Sequence, residues 1–204
     1  MALYLVIGGA GFIGSHLADA LIARADRLRV QDDLSSGRIE NLPHDAEFID
    51  GDVSDAAQTS RAMQGVAGCF HLAAIASVTR SNEDWLSTHR TNLTGTATAL
   101  EAARAAGKTP VVYASSAAIS GNPASMPSTG STIARPLTAY GADKLVSELY
   151  AEVGRLVHGI PTFGCRFFNV YGPRWRRGVS ARTWPVVCMS CRSKCRRCGI
   201  AAPI

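Results

Sequence analysis

Short, nearly uninterrupted apolar runs alternate along this chain with longer stretches in which apolar residues recur every three or four positions. The runs "ALYLVIG" (2–8), "LRVQD" (28–32), "AEFID" (46–50), "VAGCFHLAA" (66–74), "PVVYASS" (110–116) and "PTFGCRFFNV" (161–170) predict six strands. Helical patterns lie between them. "GFIGSHLADALIAR" puts Ile13, Leu17, Ala20, Leu21 and Ala23/Arg24 on one apolar face. "SDAAQTSRAM" begins with Ser54, a good helix cap, and "TNLTGTATALEAARAAG" (91–107) ends at Gly107, a suitable C-terminal residue. "TAYGADKLVSELYAEVGRLV" (138–157) predicts one long helix. Strands apolar on both faces and separated by helices predict an α/β fold with a parallel sheet covered on both sides and right-handed crossovers. The stretch 121–137, rich in Pro, Ser and Gly, reads as a surface loop.

Composition changes this picture at one end only. The 204 residues suit one domain, or one domain with an appendage, and 47% hydrophobic residues suffice for a sizeable core. The net charge of +5 hides a split: residues 1–173 hold 13 Lys/Arg and 16 Asp/Glu, whereas 174–204 hold 8 Lys/Arg and no acid. The body is a slightly acidic domain with no nucleic-acid signature. Cys69 and Cys165 sit in apolar runs and read as buried free thiols, which fits a reducing cytoplasm. No basic segment precedes the first apolar run, so no signal peptide is expected. No stretch approaches the roughly 20 apolar residues that span a bilayer, so no membrane partner is expected either.

Chemistry enters at "VIGGAGFIG". Gly8, Gly11 and Gly14 have GxxGxxG spacing between the first strand and the first helix, and Gly9, Gly11 and Gly14 also satisfy GxGxxG. Glycines there permit a tight turn and let a pyrophosphate approach backbone N–H groups at a helix N-terminus. Asp32 follows 18 residues after Gly14, at the end of the second strand. A carboxylate there accepts hydrogen bonds from an adenosine ribose and repels a 2′-phosphate, which favours NAD over NADP; the bland alternative is a turn cap. Asp52, in "GDVSD", either contacts adenine or merely begins the next helix. Together these features predict a Rossmann-like, doubly wound sheet.

"YGADK" places Tyr140 and Lys144 four residues apart on the long helix, so both project from one face. A neighbouring ammonium favours the phenolate, so Tyr140 is expected to have a lowered pKa and to act as a general base. Ser116, at the end of the fifth strand, is expected at the crevice where open α/β sheets bind ligands.

With these residues in hand, the chain resembles the extended short-chain dehydrogenase/reductase family, and within it the NAD-dependent sugar-nucleotide epimerases of the UDP-glucose 4-epimerase type. The resemblance is carried by "GGAGFIGSHL", "DDLSSGRIENL", "GDVSD", "HLAAIASV", "TNLTGT", "YASSAAISG", "YGADK" and "RFFNVYGPR", almost continuous from residue 3 to 174. It implies that Gly8, Gly11, Phe12, Ile13 and Gly14 line the pyrophosphate site. Asp32, Ser36 and Gly37 would hold the adenosine ribose, and Asp52 and Val53 would border adenine. Leu72, Ala73 and Ala74 would pass the cofactor, and Asn92 would support the site. Tyr140 would be the base, Lys144 would bind the nicotinamide ribose and tune Tyr140, and Ser116 would orient the sugar hydroxyl. Phe168 would flank the nicotinamide and Asn169 would reach the substrate. The implied reaction removes a proton from the 4-hydroxyl of a UDP-sugar, passes hydride to NAD, lets the 4-keto sugar turn, and returns the hydride. The resemblance also implies a homodimer through helices at 82–107 and 138–157.

Two subtype features stand out. Dehydratases of this family carry an Asp–Glu pair just after the catalytic Ser/Thr; this chain has Ala117 and Ala118, which argues against dehydration. Ser120 stands where the family usually has Tyr, and the 121–137 loop lacks the acids often seen there, so sugar selection is open.

The resemblance stops at Arg174. Residues 1–173 are expected to form the NAD-binding and catalytic domain, and 174–204 an atypical basic tail. Family members continue into a substrate lobe on the order of a hundred residues, so that lobe is expected to be largely missing and the chain weakly active or inactive. The tail reads as out-of-frame or truncated sequence. Its rivals are a basic tail that touches RNA or membrane, and a thiolate site made by Cys188, Cys191, Cys195 and Cys198, whose middle spacing is short for zinc. No metal is expected.

Overall fold

A computed structural model describes residues 1–122 and 133–174. Six strands, β1 (Leu3–Ile7), β2 (Arg27–Asp32), β3 (Glu47–Asp50), β4 (Gly68–His71), β5 (Val111–Ser116) and β6 (Thr162–Phe167), form one sheet in the order β3-β2-β1-β4-β5-β6. Every pairing is parallel. Strand order reverses between β1 and β4, and such a reversal opens a crevice above the C-terminal strand ends.

The helices are α1 (Phe12–Ala23), α2 (Ala56–Met63), α3 (Val78–Glu83), α4 (Trp85–His89), α5 (Gly95–Ala105) and α6 (Ala139–His158). β1 feeds both faces of the sheet, as the alternation of a strand requires. Leu5 and Ile7 pack with Met63, Ala99, Leu100, Ala103 and Ala151, which come from α2, α5 and α6. Val6 packs with Ala18 and Leu21 of α1 and with Val30. The core is therefore two apolar layers on one sheet.

The fold matches the expected doubly wound α/β architecture, with local corrections. The buried face of α1 runs through Gly14, Ser15, Ala18 and Leu21, while the expected Ala20 and Ala23 are exposed. Small residues decide this: a Cβ at Gly14 would strike the Gly8 carbonyl and come 2.7 Å from Gly9 Cα. A count of large apolar residues cannot see such a contact. The cap of α2 is Asp55, whose carboxylate accepts from Ala57 and Gln58 N–H at 2.9 and 3.0 Å. Ser54 instead accepts from Arg90. The helix expected over 91–107 is entered earlier, at Trp85, and passes through a wide π turn at Arg90–Thr94 before α5. A separate α3 precedes it and ends at Asp84, so 82–107 is not one helix. β4 and β6 are shorter than their apolar runs, whose ends become loops at the crevice. The C-terminal signal held: Gly107 adopts φ +86° just beyond α5.

Candidate active site

The site begins at the turn between β1 and α1. Gly8 is in the left-handed region at φ +81°, and a Cβ there would lie 2.5 Å from Ala73 N. No side chain caps α1 at Gly11, so its first N–H groups are open to an anion. A cleft of about 620 Å³ starts at this turn. Gly8, Gly11, Phe12, Ile13 and Gly14 all line it, as do Leu72, Ala73 and Ala74 after β4.

On the β2 side the cleft is lined by Asp32, Ser36 and Val53. Asp32 is 8% exposed. Its Oδ2 accepts from Ala10 N–H and its Oδ1 from Leu34 N–H, both at 2.9 Å. Burial raises its pKa above the usual carboxylate value, and those two hydrogen bonds oppose the rise. Gly37 does not line the cleft. It supports Asp32 from behind, where a Cβ would meet Ala10 Cβ at 2.8 Å and Asp32 Oδ1 at 3.0 Å. The Asp52 carboxylate accepts from Ser54 N–H at 2.8 Å and pairs with Arg90 at 3.3 Å; its neighbours Gly51 and Val53 line the cleft.

Asn92 is fully buried beneath the cleft. Its Oδ1 accepts from Ile75 N–H at 2.8 Å, and its Nδ2 donates to Ile75 O at 3.2 Å, which fixes the loop after β4. The same π turn carries Thr91 into the cleft wall. Nothing in the sequence signals a π turn, so Thr91 could not be foreseen.

Ser116, Tyr140 and Lys144 come together at the end of β5. Thr138 caps α6 by accepting from Gly141 N–H at 3.0 Å. A Cβ at Gly141 would lie 2.8 Å from Ala118 O, so the glycine lets the first turn of α6 press against the tight turn Ala117–Ser120 after β5. Ser116 is thereby set beside Tyr140, close enough to act on its ionisation, and Ser116 Oγ accepts from Ala118 N–H at 3.1 Å. Lys144 Nζ donates to Ala114 O at 2.8 Å and lies 5.9 Å from the Tyr140 ring centroid.

The electrostatics correct one expectation. Burial holds the Tyr140 pKa above its ordinary value, and the neighbouring Ser116 hydroxyl only partly offsets this. The ammonium that was to lower it is itself buried. Burial lowers Lys144 to about 8, against an opposing pull from Asp143. Its ammonium is turned to the Ala114 carbonyl, and burial of the phenol prevails.

The trio does not line the cleft described above, but it shares the same edge of the sheet. Only β4 separates β1 from β5, so the glycine turn and Ser116 lie about 10 Å apart, two strand spacings. His71 ends β4 between them and is 2% exposed. Thr96 Oγ1 donates to Asn92 O at 2.6 Å, so His71 Nε2, 3.0 Å from that hydroxyl, carries the proton and donates. Its Nδ1 has no partner among the described residues. Burial and then Lys144 depress its pKa to about 3, so the ring is neutral.

Phe168 and Asn169 follow β6, are exposed, and do not line the cleft. The segment then returns to α1: His16 Nε2 donates to Pro173 O at 2.9 Å, and Arg174 pairs with Asp19 at 2.7 Å. Arg174 thereby joins the lining, as does Arg80 of α3; neither was among the expected site residues. No group of three or more His, Cys, Asp or Glu able to hold a metal occurs among the described residues. The four tail cysteines, and the readings placed on residues 175–204, lie outside those residues. No described helix is long and apolar enough to cross a membrane.

A glycine turn, an acid at the end of β2 and a Ser–Tyr–Lys cluster on one strand edge match a known pattern. The sequence matches the NAD dependent epimerase/dehydratase family over residues 4–197, a span that runs past Arg174. The chain belongs to that family. Among curated relatives, it is 39% identical over 178 residues to the UDP-glucose 4-epimerase of Mycolicibacterium smegmatis, covering 83% of this chain and 56% of the relative. Among solved structures, the UDP-glucose 4-epimerase of Thermotoga maritima with UDP-glucose superposes with a TM-score of 0.82 at 36% identity, covering 84% of this chain and 57% of that one. The Thermus thermophilus UDP-glucose 4-epimerase complexed with NAD gives 0.80 at 35% identity, with 85% and 57% coverage. The chain thus spans about half the length of the epimerases it matches in this family.

Proposed function

We propose that this chain carries the cofactor-binding and proton-transfer half of a UDP-hexose 4-epimerase that works with NAD. The observation that supports it most is the cluster of Ser116, Tyr140 and Lys144, on the edge that also holds the glycine turn.

The residues fit the cofactor. The Gly8 and Gly14 positions tolerate no Cβ, so backbone alone faces the place where a pyrophosphate would lie. Asp32 presents a carboxylate already held by two N–H groups and suits a ribose diol. Val53 and Asp52 would border adenine, and Lys144, released from Ala114 O, would reach the nicotinamide ribose. Phe168 would flank the nicotinamide. When bound, NAD supplies a hydride acceptor and a positive charge near Tyr140.

Once its own proton has passed to solvent, the Tyr140 phenolate would take the proton of the sugar 4-hydroxyl at its Oη. Ser116 holds that hydroxyl in line, and Asn169 meets the sugar. Lys144 stabilises the phenolate as the proton arrives and leaves. Ala117 and Ala118 provide no carboxyl group to eliminate water, so the proton cycle ends in epimerisation. The active unit would be a cytoplasmic homodimer.

A coupled assay with UDP-galactose and UDP-N-acetylgalactosamine tests this proposal. Interconversion of either sugar supports it. NAD binding with no turnover of either would replace it with a second reading, a non-catalytic NAD-binding module, which the half-length match favours. NADH accumulating with substrate would indicate net oxidation instead.

A further inference from the structure

Arg80, in the first turn of α3, lines the cleft beside the loop after β4. Its side chain is exposed and makes no hydrogen bond or ion pair among the described residues. Arg38 on the β2 side is likewise without a side-chain partner among the described residues, but it shares its wall with Asp32 and Asp33. Arg174, held against α1, is neutralised by Asp19. The lining acids, Asp32 and Asp33, stand with Arg38 on the β2 side of the glycine turn. On the β4 side no lining acid faces Arg80. The cleft is therefore polarised, acidic at one end and carrying an uncompensated cation at the other, with the open N-terminus of α1 between them. A concave, partly enclosed surface concentrates such a field. An arginine fork matches phosphate oxygens in pairs, which a lysine does not.

We propose that Arg80 binds a diphosphate in this cleft. The ligand class is a nucleoside diphosphate ester, either the pyrophosphate of a dinucleotide or the diphosphate of a sugar nucleotide. The assignment rests on the reading of the cleft as a nucleotide site and adds a side-chain contact to the backbone cradle.

The test is calorimetric titration of wild type, Arg80→Gln and Arg80→Lys with NAD, adenosine, UDP and inorganic pyrophosphate at low and high salt. Loss of one charged hydrogen-bonding group should weaken a diphosphate ligand about tenfold or more. Adenosine binding should not change, Arg80→Lys should recover part of the loss, and added salt should weaken the wild type more than Arg80→Gln. Thermal melting should be unaffected, since the side chain has no partner to lose. A loss confined to NAD assigns the cofactor's pyrophosphate, and one confined to UDP assigns the sugar nucleotide. The proposal is overturned if Arg80→Gln binds NAD, UDP and pyrophosphate as the wild type does, or loses adenosine equally. A wild type that holds pyrophosphate through Arg80 but not NAD would sink the cofactor reading and leave this one standing. Binding of none of the four by the wild type would end both.

Discussion

Lys144 is the residue on which structure and chemistry pull hardest against each other. It is 2% exposed, and burial lowers its pKa from 10.5 to about 8. Between those values the unfolded chain binds more protons than the folded one, so this group makes stability rise as pH increases through that window. Below about 8 the full cost of the buried charge is present. Lys144→Met should therefore stabilise the cofactor-free chain most near pH 7, with the advantage shrinking as pH approaches 10. Urea unfolding of both proteins at pH 7, 9 and 10 measures it, and a pH-independent difference would contradict the pKa assignment. At this scale the sequence was readable wherever a motif names a residue type. The "YGADK" spacing found Tyr140 and Lys144 together, and the glycine string found the turn. It could not give the direction of the Tyr140 shift, because desolvation depends on neighbours from β5 that spacing does not reveal. Nor could it distinguish His71, which sits inside an apolar run yet ends as a neutral imidazole between both halves of the site.

Elements set how these residues meet. The π turn at Arg90–Thr94 does two jobs: it turns Thr91 to the cleft, and it lets Asn92 bridge both polar groups of Ile75. Asn92→Ala would leave the Ile75 N–H and carbonyl without those partners and should cost about 1–3 kcal/mol. Denaturant unfolding reads that loss, and NAD affinity should fall with it as the loop after β4 loosens. Unchanged stability would show that the bridge does not hold the loop. Alternation of strands and helices was legible because both faces of the sheet are buried, which leaves long apolar runs. Boundaries and faces were not. α1 packs on glycine, serine and alanine, so its buried side escapes a search for large apolar residues. The helix expected at 82–107 proved to be separate pieces, because Asp84 ends α3 and caps α4.

At the scale of the whole molecule, α6 presents an exposed apolar stripe. Leu149, Tyr150, Val153, Leu156 and Val157 are each at least half exposed and share one side of the helix. Such a stripe marks an interaction surface, consistent with the proposed homodimer. Val153→Glu with Leu156→Glu should shift the sedimentation coefficient of the chain to that of a monomer without lowering its melting temperature. If the wild type already sediments as a monomer at high concentration, the dimer proposal fails. The half-length match to the relatives leaves substrate selection open, while the glycine turn, Asp32 and the Ser116–Tyr140–Lys144 cluster all lie on the described edge of the sheet. That edge is best probed by titrating the purified chain with NAD in a calorimeter, alongside Gly14→Val, whose added bulk collides with the Gly8 carbonyl. Saturable one-to-one binding by the wild type, abolished in the variant, is the predicted result. No binding by a folded wild type, or equal binding by both proteins, would contradict the assignment of this crevice as a dinucleotide site.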